Sequence, residues 1–88
     1  MKIKKGISLR NVSGTSIIVS ISENKVNYEN IFSLNETGIL LWKSLEQGAK
    51  KEELQQILRN EYEVDEITVK EDVEEFLNKL RSLDVLEE

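Results

Sequence analysis

The 88-residue sequence contains no cysteine, no histidine and no proline. Without cysteine there is no disulfide and no thiolate ligand. Without histidine there is also no imidazole ligand and no nucleophile–imidazole pair. Carboxylates are the only metal ligands left, and Val64-Asp65-Glu66-Ile67 lacks the spaced oxygens and the glycine of a calcium loop. Glycine is scarce too: Gly6, Gly14, Gly38 and Gly48 stand apart from one another, which excludes a phosphate loop or a dinucleotide fingerprint. Long apolar runs are missing. Ile17-Ile18-Val19 and Ile39-Leu40-Leu41-Trp42 fall far short of the ~20 residues of a membrane span, and Lys2, Lys4 and Lys5 precede no signal-peptide hydrophobic region. A soluble, cytoplasmic protein with no metal and no other cofactor is expected. The length suits one domain, residues 1–88, that buries about 60–65% of its unfolded surface.

Charge is present in quantity and unevenly spread. Residues 1–51 hold eight Lys/Arg against four Asp/Glu, whereas residues 52–88 hold four against thirteen. A C-terminal half at net −9 is a poor surface for nucleic acid, because binding a polyanion relies on Lys and Arg at the phosphates. Carboxylates occur in pairs such as Glu52-Glu53, Asp65-Glu66 and Glu74-Glu75, but on polar helix faces or loops. General acid–base work needs environments that separate two pKa values, which such faces do not supply. No catalytic residue is assigned and no enzyme is expected.

The pattern along the chain predicts three strands and then three helices. Ile7-Ser8-Leu9-Arg10-Asn11-Val12 alternates with period two, Ser13-Gly14 supplies a turn, and Thr15 to Ser22 places Ile17, Val19 and Ile21 on one face. After a turn at Glu23-Asn24-Lys25, Val26 to Leu34 makes a third strand with less regular alternation, Tyr28, Phe32 and Leu34 sharing one parity. Asn35 is placed to cap a first helix with a Leu41, Trp42 and Leu45 stripe, ended by Gly48; Gly38 inside it suggests close packing against the sheet. A second helix runs from about Lys50 to Asn60 without a Ser, Thr, Asp or Asn cap. The third begins after Thr68, where Thr68 and Glu71 match a capping box, and carries Val69, Val73, Phe76, Leu77, Leu80 and Leu83. Strands followed by helices argue an α+β domain with a three-stranded antiparallel sheet. The first six residues, rich in lysine, are expected to be loose.

With catalysis excluded, an interaction surface remains. A meander leaves sheet edges whose unpaired N–H and C=O groups another extended chain can complete, and an apolar helix face beside the edge can supply selectivity. Around the third helix Asp72, Phe76, Lys79 and Leu80 lie within about 100° of one another, so apolar anchors there are flanked by one acid and one base.

The segment Phe32-Ser33-Leu34-Asn35-Glu36-Thr37-Gly38 followed by Leu41-Trp42, then Leu54 to Tyr62, Asp72 to Leu80 and Leu83-Asp84-Val85-Leu86, resembles in order and spacing the PqqD-like family. These are small domains that recognise the leader of a precursor peptide in the biosynthesis of ribosomally made, modified peptides (RiPPs). The resemblance implies a winged-helix-like arrangement and no activity of its own. It implies a leader bound as an added strand along Glu29, Asn30, Ile31, Phe32, Ser33 and Leu34, in a groove whose other wall is the third helix, with Val69, Asp72, Val73, Phe76, Lys79 and Leu80. It also implies a partner enzyme, a radical S-adenosylmethionine maturase or a leader protease and cyclase of the lasso-peptide type, to which this stand-alone RiPP recognition element delivers the precursor. The chain departs from the family in its uncapped second helix and its polar Val26 to Asn30 stretch. A small winged-helix DNA-binding regulator is the rival reading, opposed by the acidic C-terminal half. A monomer or a weak or domain-swapped dimer is expected.

Overall fold

The computed structural model describes residues 1–22 and 25–88, with side chains described for 1–21 and 32–88. In chain order run β1 (Lys2–Ile3), β2 (Ile7–Val12), β3 (Thr15–Ser22), β4 (Lys25–Leu34), α1 (Glu36–Gln47), α2 (Lys51–Glu61), α3 (Glu66–Ser82) and β5 (Leu86–Glu87). The α+β class and the meander hold: β2, β3 and β4 form an antiparallel sheet in that order. Of the turn expected at Glu23-Asn24-Lys25, Glu23 and Asn24 lie outside the described residues.

The β2–β3 hairpin follows from its turn. Ser13 and Gly14 both have positive φ, 52° and 82°, which matches a two-residue loop to the right-handed twist of the flanking strands. The Asn11 side chain accepts a hydrogen bond from the Gly14 N–H at 3.1 Å and steadies the turn. Register then runs unbroken from Val12↔Thr15 to Ile7↔Ser20.

The β3–β4 ladder is broken. Ile18 stands opposite Phe32 but Ser20 stands opposite Asn27, so Val19 alone spans the backbone of Tyr28 to Ile31. This bulge is the physical form of the irregular alternation in the sequence. The side chains of Tyr28, Glu29, Asn30 and Ile31 lie outside the described residues.

The row Leu9, Ile18, Phe32 faces the helices. Ile18 joins the core cluster, with Leu9 and Phe32 packed against it. Ile17, Val19 and Ile21 do share a face, as the period-two reading has it, but alternation points that face away from the helix-side cluster.

The amino-terminal residues are not loose. Lys2 pairs with Glu87 and Ile3 with Leu86 in a short antiparallel ladder. Met1 also brackets the α1–α2 junction: its ammonium donates to the Ala49 carbonyl, and the Ala49 N–H donates to the Met1 carbonyl, both at 2.9 Å. Two-residue strands carry no readable alternation, so sequence pattern alone could not have found this ladder.

Each helix starts from a local cause. At α1, Asn35 Oδ1 accepts from the Gly38 N–H at 2.8 Å, satisfying one of the orphan donors of the first turn. Asn35→Ala should therefore lower the stability of the domain by about 1 kcal/mol, seen as a shifted urea midpoint at unchanged slope. At α2, Lys50 offers no acceptor, and the cap runs in reverse: Glu53 Oε1 accepts from the Lys50 N–H at 3.1 Å. At α3 the cap is Asp65, not Thr68. Asp65 Oδ1 accepts from the Thr68 N–H at 2.8 Å, so the helix opens at Glu66 with Thr68 already inside its first turn. That hydrogen bond holds the Asp65 carboxyl below its ordinary pKa.

Trp42, Leu45, Leu54, Val69, Val73, Leu77 and Leu80 are all at 0% exposure and form the centre where the three helices meet the sheet. Val85 and Leu86 extend that core from beyond α3.

Candidate functional site

β4 is an edge strand of its sheet, paired with β3 on one side only. Between its C-terminal end and α3 lies a groove of about 520 Å³. One wall comes from Phe32, Ser33 and Leu34 of β4 and from Asn35. The floor is Thr37, Gly38 and Leu41 of α1, and the opposite wall is Asp72, Glu75, Phe76 and Lys79 of α3.

The sequence builds this shape locally. Asn35 ends the strand and starts the helix in one residue, so α1 turns away under the edge rather than covering it. Gly38 lets that turn be tight: a Cβ at this position would lie 3.2 Å from Leu34 Cδ2 and 3.3 Å from Asn35 Oδ1. A larger residue would require the Leu34 or Asn35 side chain to give by a few tenths of an ångström.

Of the residues expected from the sequence, Phe32, Ser33, Leu34, Asp72, Phe76 and Lys79 come together around the groove. The backbone of Glu29, Asn30 and Ile31 continues β4 beyond it. Val69, Val73 and Leu80 do not reach it; they are fully buried beneath α3 in the core. The apolar stripe of α3 thus divides, most of it packing inward, while half-buried Phe76 contributes both to the core margin and to the groove wall. Asn35, Thr37, Gly38, Leu41 and Glu75 were not assigned to the site from sequence. Glu75 was legible in principle, since it lies one turn before Lys79 on the same side of the helix. The part played by α1 was not, because it depends on how that helix crosses the strand.

The groove is apolar at its centre and charged at its rim. Lys79 Nζ lies 4.9 Å from the centre of the Phe32 ring, a cation–π contact that reaches across from α3 to β4. On its other flank α3 is tied by ion pairs. Glu74 pairs with Lys51 of α2 and, at 3.2 Å, with Arg81, which also pairs with Glu88 at 2.8 Å. The hydrogen bond from Lys51, reinforced by Arg81, holds the Glu74 carboxyl below its usual range. Among the described residues no group of three or more His, Cys, Asp or Glu is placed to hold a metal, and no helix is long and apolar enough to cross a membrane.

Comparison with known proteins gives this groove its context. No curated protein sequence matches the chain. Among solved structures it is similar to TbiB1 in complex with the TbiA(beta) leader peptide, with 28% identity and a TM-score of 0.77 over 99% of this chain and 95% of that one. It also shares its fold with lasso peptide synthetase B1 complexed with the leader peptide, at 19% identity and a TM-score of 0.74 over 96% and 93% of the two chains. The model of the family described as coenzyme PQQ synthesis protein D matches residues 17–86, most of the chain, which therefore belongs to the PqqD family.

Proposed function

We propose that this protein is a non-catalytic recognition element that binds the leader of a ribosomally made precursor peptide as a strand added to the edge of β4. It then presents the precursor to a separate modifying enzyme or leader protease in the cytoplasm, where such precursors are made. The observation that carries this reading is the groove itself: a free strand edge bordered by a helix wall and lined by two half-buried aromatics, Phe32 from the strand and Phe76 from the helix. Edge N–H and C=O groups give affinity with little demand on sequence, and the helix wall supplies selectivity. The likeness to TbiB1, solved with a leader peptide, supports the same use of the same fold. The acidic C-terminal half and the absence of a basic face on α3 leave nothing in favour of DNA.

A titration tests it directly. Isotope-labelled protein mixed with the leader of a precursor encoded beside its gene should show the largest amide shifts at Phe32, Ser33 and Leu34 and along Asp72 to Lys79. Shifts confined to α2 would exclude the groove.

A further inference from the structure

The charges of α3 divide into two sets. Away from the groove all of them but Glu71 are in salt bridges within the protein: Glu66 pairs with Lys70 at 3.5 Å, and Glu74, Arg81, Lys51 and Glu88 form the network described above. On the groove rim Asp72, Glu75 and Lys79 are all exposed, and none of them is in a salt bridge among the described residues. The second set is the more telling because a pair was available. Glu75 and Lys79 stand at i and i+4 with the acid N-terminal, the favoured order for a helix ion pair. Lys79 instead extends across the groove to the Phe32 ring.

We infer that these three side chains are the specificity determinants of the groove, and that they select a strand carrying an acidic and a basic side chain at alternate positions. The acidic one would meet Lys79 and the basic one Glu75 and Asp72. The spacing follows from geometry: four residues of helix advance about 6 Å, and alternate residues of a strand are about 6.6 Å apart on the same face. A ligand acid would draw Lys79 off Phe32 and leave the ring free for an apolar neighbour in the strand. Because Asp72 and Glu75 lie toward one end of α3 and Lys79 toward the other, the charge order also sets the direction in which the strand lies. A sequence with the two charges exchanged would have to enter the other way round. The inference rests on the strand-addition reading and deepens it.

The test is a selection of short random peptides displayed on phage, applied to the whole protein and to Lys79→Glu and Glu75→Lys, exposed positions whose substitution should leave the circular dichroism spectrum unchanged. Peptides enriched on the parent protein should carry an acid and a base at i and i+2 in one order. On Lys79→Glu the acid should give way to a base, and on Glu75→Lys the base to an acid. Synthetic parent-selected peptides should bind each variant roughly three- to fivefold more weakly, the scale expected of an exposed ion pair, and the difference should shrink in high salt. Enriched peptides that map to β4 and α3 by amide shifts, yet show no charge preference or the same preference on the variants, would overturn the inference while leaving strand addition intact. Enriched peptides that map elsewhere, or none at all, would overturn both.

Discussion

Replacing Phe76 by alanine should weaken leader binding by roughly thirtyfold or more, as truncation of a buried aromatic anchor at an interface commonly costs about 2 kcal/mol or above. Phe76 is the one apolar side chain that α3 gives to the groove wall, and a strand laid along β4 would complete its burial. Lys79→Ala removes a rim charge and should change association rate and salt dependence far more than dissociation. Calorimetric titration of both variants with the same leader decides between them. Phe76 also packs against the core margin, so thermal unfolding has to accompany the binding data. Its partial exposure places the loss of stability below the 3–5 kcal/mol typical of a fully buried phenylalanine, and the variant should remain folded at room temperature. A folded Phe76→Ala protein with undiminished leader affinity would show that α3 is scaffold only.

The other large effect concerns Trp42. It is fully buried at the junction of the three helices, and its indole Nε1 has no hydrogen-bond partner among the described residues. Trp42→Ala should destabilise the domain by about 3–5 kcal/mol, a large fraction of the 5–15 kcal/mol that usually holds a domain together. Trp42→Phe should be far milder, because it leaves a small cavity and gives up no hydrogen bond. Urea unfolding followed by far-ultraviolet circular dichroism measures both, since the tryptophan signal itself is lost. If the phenylalanine variant were as damaged as the alanine one, the indole N–H would have a partner that matters.

The sheet and helices were legible because their signals are local. Asn35 before an apolar stripe, Ser13-Gly14 between alternating runs and Gly48 after Leu45 each say where an element begins or ends without reference to the rest of the chain. The start of α3 was displaced by three residues because two capping patterns overlap, and the carboxylate of Asp65 takes the Thr68 N–H before Thr68 can act as a cap. Half of the groove was legible for a similar reason. Helical spacing puts Asp72, Phe76 and Lys79 side by side, but it cannot say how far the helix is rotated against its neighbours. That rotation sends Val69, Val73 and Leu80 into the core. The same limit applies to β3, where parity groups Ile17 with Val19 but only tertiary packing decides that Ile18 meets the helices.

The ladder between β1 and β5 has a kinetic consequence. It joins Lys2 to Glu87 and Ile3 to Leu86, and the Lys4 N–H reaches the Val85 carbonyl at 2.9 Å. On the ribosome β1 emerges first and waits through the synthesis of the whole meander and all three helices before it meets a partner. Until residues 85–87 follow, Val85 and Leu86 are missing from the core. Contacts of such long sequence separation form later than a hairpin or a helix. A nascent chain would therefore hold its hairpin early and its sealed core late, with the free edge of β4 already formed in between.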